Sequence, residues 1–464
     1  MRLCLQDKVG AAVVLGALSV VVVHAGPLGH PGGHQIGTAD AGGSVTTPVG
    51  EPTTAFVDFN VVPMDRDVVL PHQVVVVRGA FIDRIGPVGA VDVPRGATVI
   101  EGDGEEFLAP GLTDAHVHLR DRYEAWLPLF IANGVTTVFN LEGRPSHLEL
   151  KRRIWEGAQE GPTIYTSGPF VQEPEVRTPT DARTTVARQA ALGYDFVKVH
   201  GNLSSDTYRT LTEAGRELGI PVIGHAPRNL PFSAVLENRQ VALTHAEEII
   251  QTELQSLDPA GVAEVARRLA EAGTWLMPTL AHFRSTADQW GSPAAVEAAL
   301  ATEEAAYLPQ SLRGQWQAGN VYLGVDAADR DRLQAMYEFH GPLIRALYAA
   351  GIPMMAGTDT PIPTMAPGFS LHAEVEALRE VGLTGYDALA TATVNPGRFV
   401  REYVAAGVHF GTLEQGARAD ILMLGADPRL DATTLRRPRG VMVRGRLYER
   451  SDLDRLLQRA AASR

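Results

Sequence analysis

Between residues 109 and 405 the chain alternates short apolar runs with longer amphipathic ones. Eight runs read as strands: GLTDAHVHL from Gly111, GVTTVFNLEG from Gly134, PTIYTSGPF from Pro162, DFVKVHG from Asp195, PVIGHAP from Pro221, ALTHAEEI from Ala242, TWLMPTL from Thr274 and PMMAGTDT from Pro353. Each ends in a turn and is followed by helix-like sequence, such as SSDTYRTLTEAGRELG or DPAGVAEVARRLAEAG. Strand then helix, repeated, means parallel strands joined by crossover helices, and eight such units close a (β/α)8 TIM barrel. The rhythm breaks once. After the seventh run about seventy residues of helical character precede the eighth, an insertion placed to serve as a lid.

The flanks carry a different pattern. Residues 55–108 hold β-rich runs (AFVDFNVV, HQVVVVRGAFIDRIG, ATVIEG) punctuated by Gly and Pro, and residues 406–464 hold two more (ADILMLGADP, GVMVRGRLYE). One small β-sandwich domain assembled from both chain ends accounts for them. The expected architecture is therefore α/β: a barrel over 109–405 and a sandwich in two parts, 55–108 and 406–464. Residues 26–54, rich in Gly, Pro and Thr and without hydrophobic period, read as a flexible linker that takes in His30 and His34. Residues 1–25 carry Arg2 and Lys8, an uncharged apolar stretch from Val9 to Val23, and Val23 and Ala25 at cleavage-site spacing. They read as a secretory signal peptide, which predicts an exported protein, periplasmic or extracellular, with no stable membrane insertion after cleavage.

Composition narrows the function. Hydrophobic residues make up 45% and charged residues 20%, the balance of a soluble globular chain. A formal net charge of −13 disfavours phosphate backbones, so no nucleic acid partner is expected and a small-molecule substrate is. The only cysteine, Cys4, lies in the segment to be removed, so core size and bound metal must supply what disulfides cannot.

The polar residues of the strand-like runs then acquire addresses. His116 and His118, two apart on the first run, face one space, which suits a metal ion; on spacing alone, a hydrogen-bonded pair of core histidines stays open. Lys198 falls on the fourth run, His225 on the fifth, His245 on the sixth and Asp359 on the eighth, all toward C-terminal strand ends where barrels build active sites. Six polar groups aimed at one mouth are costly as core but satisfy one another around metal. Lys198, between Val197 and Val199, should point inward, where desolvation favours the neutral amine. A neutral amine can take up carbon dioxide as a carbamate, a carboxylate-like anion; a salt bridge to Asp359 is the alternative.

The motifs LAPGLTDAHVHL, VKV, GHA, THA, AGTDT and TATVNPGRFV…GTLEQGARADILMLGADP resemble the amidohydrolase superfamily in its binuclear, lysine-carboxylating subtype, nearest the prolidase-like and imidazolonepropionase-like branch. The resemblance implies a metal-dependent barrel in which His116, His118 and Asp359 hold the more buried of two divalent ions and His225 and His245 the other. Carboxylated Lys198 would bridge them with a hydroxide, consuming carbon dioxide. Zinc suits the donors first. The implied activity is hydrolysis of amide C–N bonds in small substrates such as dipeptides or N-acyl amino acids. The shared hydroxide would attack, and Asp359 would be the catalytic proton carrier. Lactone or organophosphate hydrolysis is the alternative activity, and a non-catalytic assembly role the alternative class. Relatives often form homo-oligomers.

Substrate residues are less legible. A substrate carboxylate calls for a cation, and Arg228, three past His225, or Arg144, after the second run, could meet it. His200, on the face of Lys198, and His282, beyond the seventh run, could touch substrate. Pro227, Thr244 and Ala246 depart from the pattern of the branch's dipeptidases, so the pocket should differ from theirs.

Overall fold

A computed structural model describes residues 52–120 and 123–463. The expected signal peptide lies outside the described residues, as does the expected linker up to residue 51. The last linker residues are already structured, because the first strand, β1, spans Thr53–Val61. All elements below belong to the unit Thr53–Arg464.

Both chain ends do meet. Strands β1, β2 (Leu70–Arg78), β3 (Phe81–Pro87), β4 (Thr98–Glu101) and β5 (Phe107–Pro110) share one eight-stranded sheet with C-terminal partners. Those partners pair in the order β15-β14-β13-β5-β1-β2-β3, with β4 on β1; their ranges are Ile421–Leu424 (β13), Gly440–Val443 (β14) and Arg446–Glu449 (β15). The wiring differs from two separately paired layers. It is one sheet that curls: Phe81 in β3 bridges Arg418, just before β13, and Ile82 donates to Ala417 O at 2.9 Å. Curling lets Phe56, Phe59, Val75, Ile82, Ile421 and Met442, from five strands, fill one core. A closing helix, Arg450–Ala461, which the β-rich pattern did not announce, packs on the helix Leu127–Ala132.

Seven of the eight expected strands appear as β6 (Leu112–Val117), β7 (Val135–Asn140), β8 (Thr163–Thr166), β9 (Val197–Val199), β10 (Val222–Gly224), β11 (Ala242–Thr244) and β12 (Trp275–Met277). All are fully buried, as parallel strands covered on both faces must be. They pair as two parallel sheets, β6-β7-β8 and β9-β10-β11-β12. Parallel bridges join what lies between: Ser167 to Phe196, Leu276 to Met354, and Thr360 to Val117. Phe139, Tyr165, Phe196, Ile223, Trp275 and Met355 gather with Phe399 in a single apolar cluster beneath these strands.

The eighth run is not a regular strand. Thr358 N and Asp359 N both turn to His116 O, at 3.2 and 2.6 Å, where a ladder would send alternate donors to opposite sides. Asp114 completes the seam. Its buried carboxylate accepts from His116 N (3.2 Å), Thr358 N (3.0 Å) and Thr358 Oγ1 (2.6 Å). Gly357 stands here because a Cβ would lie 2.6 Å from His116 Cβ. The insertion after β12 is helical as expected, in five α-helical segments beginning with Leu280–Gln289 and ending with Arg330–Ala349.

Arg418 welds the small sheet to the β6-β7-β8 sheet. It is 3% exposed, donates to Asp420 Oδ2 at 2.6 Å and to Thr137 Oγ1 of β7 at 2.5 Å, and lies over the Phe410 ring. Asp420 in turn accepts from Arg444 N at 2.8 Å. Removing one member of a buried, hydrogen-bonded ion pair strands the other, at a cost of about 3–5 kcal/mol. Arg418→Met should therefore lower unfolding free energy by about that much, and adding Asp420→Asn should recover part of it. Denaturant midpoints of both variants check this, and an unchanged midpoint in Arg418→Met refutes it.

Candidate metal centre

The strand ends bring six polar side chains to one place. His116 lies inside β6 and His118 just past it; Lys198 is the middle residue of β9; His225 and His245 immediately follow β10 and β11. None of the five side chains is more than slightly exposed. His116 Nε2 and His118 Nε2 are 3.3 Å apart, and both face Asp359 Oδ1, at 3.2 and 2.7 Å. His245 Nε2 is 4.0 Å from Asp359 Oδ2. The His245 ring centroid is 4.8 Å from that of His116 and 4.9 Å from that of His225. His116, His245 and Asp359 likewise offer donor atoms that all lie within 4.8 Å of one another. His245 thus reaches toward Asp359 as well as toward His225.

Three backbone positions carry the geometry at a price in strain. His245 (φ 67°), Asp359 (φ 59°) and Thr279 (φ 54°) are left-handed non-glycine residues, a conformation costing on the order of 1–3 kcal/mol each. Such strain persists where the surroundings over-determine it, and here two of the three residues are site residues while the third holds one of them: Thr279 Oγ1 is 2.9 Å from His245 Nδ1. Gly224 has a different task. A Cβ there would lie 2.9 Å from Lys198 Cδ and 2.3 Å from Val199 O, so only glycine lets the lysine pass.

Three imidazoles, those of His118, His225 and His245, are aimed by the nitrogen they turn away from the centre, whereas His116 Nδ1 is buried without a hydrogen-bond partner among the described residues. His118 Nδ1 is 3.1 Å from Glu142 Oε2, and His225 Nδ1 is 2.8 Å from Glu248 Oε1. Orientation by an outer carboxylate or hydroxyl is how metal-ligating histidines are fixed in one tautomer. With Nδ1 so engaged, the Nε2 atoms present lone pairs to the centre. Two imidazole lone pairs and a carboxylate oxygen at 2.7–3.3 Å repel one another unless a proton or a cation lies between them. The donor set, imidazole nitrogens of buried rings and a carboxylate oxygen, fits a divalent ion of the zinc type.

Electrostatics point the same way. Burial pushes His116 down to about 3, helped by Lys198 and opposed by Asp359, so the ring is neutral. Burial likewise holds His225 and His245 well below the usual histidine range. Burial alone would raise Asp359, but His116, His118 and His282 outweigh it and keep the carboxylate ionised. Lys198, 0% exposed, is lowered to about 7 by burial against the upward pull of Asp359 and Glu248. Its ammonium donates to Thr244 Oγ1 at 3.2 Å, and no ion pair with Asp359 forms.

The remaining expected residues divide. His282 does belong to the centre: it sits in the first turn of Leu280–Gln289, buried, with Nδ1 2.9 Å from Asp359 Oδ2, though off the line of a good hydrogen bond. Burial lowers this ring, and Asp359 more than reverses the effect. His200 forms a wall. It stacks on Phe170 at 4.2 Å, approaches Gln172 Oε1 at 2.9 Å, and its ring is 4.9 Å from His225. Arg228 is half-buried on the loop after β10. Arg144 is 45% exposed, opens the helix Pro145–Trp155 and reaches Glu142 Oε1 at 3.6 Å, so it belongs to the outer carboxylate rather than to the centre. Glu142 and Glu248 were not expected. Their signal was an acid two residues past a strand run in FNLEG and three past the histidine in THAEE.

Comparison with known proteins follows this geometry. The family model described as the amidohydrolase family matches residues 107–448. An uncharacterized protein of Mycobacterium tuberculosis is 24% identical over 392 residues, 78% of this chain and 90% of its own length. Among solved structures, a bottromycin amidohydrolase is 25% identical with a TM-score of 0.68, covering 89% of this chain and 91% of that one. A Xaa-Pro dipeptidase with methionine in its active site is 17% identical with a TM-score of 0.64, covering 86% and 100%. The latter similarity concerns the fold, which is TIM-barrel-like α/β.

Proposed function

Because the chain belongs to the amidohydrolase family, hydrolases acting on C–N bonds, we propose that it is a two-metal amide hydrolase of small substrates such as dipeptides or N-acyl amino acids. One observation carries the reading: the crowding of His116 Nε2, His118 Nε2 and Asp359 Oδ1 at one buried point. The strands, in this reading, close into a (β/α)8 barrel, and the curled small sheet packs as a sandwich. His116, His118 and Asp359 would hold one ion, His225 and His245 the other, and Lys198, as a carbamate, both; zinc is the proposed metal. Bound there, such ions polarise a scissile carbonyl and bring water's pKa from ~16 toward ~7.

The chain's own residues do the rest. Asp359 directs Oδ1 at His116 and His118 and leaves Oδ2 facing His282 and His245. Oδ2 is therefore the atom that takes a proton from the attacking water and returns it to the leaving amine. His282 Nδ1 lies 2.9 Å from that oxygen. Lys198 is suited to carboxylation because burial leaves much of it as the free amine near neutral pH, and its one hydrogen bond is to a hydroxyl rather than to a carboxylate that would keep it charged. The His200–Phe170 stack lines the approach, and Arg228, beyond His225, is the proposed cation for a substrate carboxylate.

With two equivalents of zinc the chain should hydrolyse members of an N-acyl amino acid and dipeptide panel faster than lactones. Asp359→Asn should keep zinc yet lose at least ~100-fold in kcat, the scale of positioned acid–base help; full turnover in that variant removes Asp359 from proton transfer. Protein reconstituted under 13C-labelled carbon dioxide should show one carbamate carbon resonance, absent in Lys198→Met. A labelled signal that survives the substitution sinks the carbamate. Residues 1–25 are proposed to direct export, and N-terminal sequencing of protein recovered outside the cytoplasm should begin at Gly26; a start at Met1 overturns the cleavage.

A further inference from the structure

Behind the centre lies a buried acid and a buried imidazole that the proposed chemistry does not use. Glu247 follows His245 by two residues, and its Oε1 is 3.8 Å from His245 Nδ1. Its other oxygen, Oε2, faces away, 3.9 Å from His340 Nε2. His340 sits on the last helix of the insertion, Arg330–Ala349. Glu247 is 6% exposed and His340 0%, and among the described residues neither of the two facing atoms has a hydrogen-bond partner. Buried polar atoms without partners are rare and ask for a reason.

The pair is one short step from satisfaction. A hydrogen bond needs about 3 Å, and the gap is 3.9 Å, too narrow for an intervening water and closed by a shift of about 1 Å. His340 Nδ1 is committed to Met336 O at 2.7 Å, so Nε2 is the nitrogen left to face Oε2, and one proton between the two atoms makes the bond. A metal ion does not account for the pair, since no third donor joins it among the described residues. Both flanks are built to yield. Pro342, two residues past His340, removes one rung of its helix ladder. On the other side Glu247–Ile249 runs directly into a π-helical turn, Ile250–Leu254.

We propose that Glu247 and His340 act as a latch, one hydrogen bond that anchors the helical insertion to the segment following β11 and thereby positions the His245 ring. His245 is left-handed, so its ring direction depends on how residues 245–247 are held. When the insertion seats, Oε2 meets His340 and the backbone of residues 245–247 is held, with His245 Nδ1 against Thr279 Oγ1 at 2.9 Å; when it lifts, the restraint on that backbone is lost. Glu247 and His340 are positioning residues. The importance of His245 rests on the function proposed above, whereas the latch itself can be read without metal or turnover.

Hydrogen exchange of the full chain tests it. His340→Leu should speed amide exchange at least ~10-fold both in residues 330–349 and in residues 245–254, with β1 and β2 unchanged. Glu247→Gln, whose amide can still donate to Nε2, should exchange like the parent in both segments. Unchanged exchange at 245–254 in His340→Leu, or Glu247→Gln behaving like His340→Leu, overturns the latch. Should His340→Leu not fold, His340→Gln against the one-methylene-shorter His340→Asn gives the same contrast, with faster exchange at 245–254 expected only for the shorter side chain; equal exchange overturns the latch. In zinc-loaded chains His340→Leu should also release zinc at least ~10-fold more readily. An inactive parent with the predicted exchange pattern would fail the hydrolase reading and support the latch; an active parent without that pattern would do the reverse.

Discussion

The structure depends on desolvation of a crowded set of bases. His116, His118, Lys198, His225, His245 and Asp359 are buried or nearly so, and His116 Nε2, His118 Nε2 and Asp359 Oδ1 lie within 3.3 Å of one another. Burial strips charge from His116, His225 and His245 and lowers Lys198 to about 7, while Asp359 stays ionised. Imidazole nitrogens gathered around one fixed anion are a donor set that suits a divalent cation. Everything nearby can be understood as a means of tolerating it.

Those means are local. Glu142, Glu248 and Thr279 turn the outer nitrogens of three imidazoles and so aim the inner ones. Asp114 and Thr358 stitch the irregular eighth segment to β6, where regular pairing would have pointed Asp359 elsewhere. Gly224 and Gly357 clear room for Lys198 and His116. The left-handed backbone at His245 and Asp359 is held by this framework rather than by local preference. The Arg418–Asp420 pair then fixes the small sheet against β7, keeping both chain ends in register with the strands that carry the site.

The insertion adds a second level of control. Its first helix contributes His282 directly to Asp359, and its last contributes His340 toward Glu247. Contacts at both ends mean that the placement of a long helical segment, far in sequence from His245, bears on two members of the centre.

Much of this could be read from the chain alone. Apolar runs of strand length separated by amphipathic segments announced eight parallel strands, of which seven form, and the positions of His116, His118, Lys198, His225 and His245 on or at the ends of those strands follow from where each run stops. Periodicity is a local property, so local sequence determines it. Other features were beyond its reach. That Arg144 serves Glu142 and that Lys198 meets Thr244 instead of Asp359 depends on which strand ends become neighbours. So does the pairing of His340 with Glu247, residues distant in sequence that only packing brings within 3.9 Å. The single curled sheet was equally hidden, because the bond from Ile82 to Ala417 that turns it on itself joins residues from opposite ends of the chain. Short-range pattern decides which segments are strands and which residue types stand at their tips; distance across space, and the burial that comes with it, decides which of those residues meet and what charge each can carry.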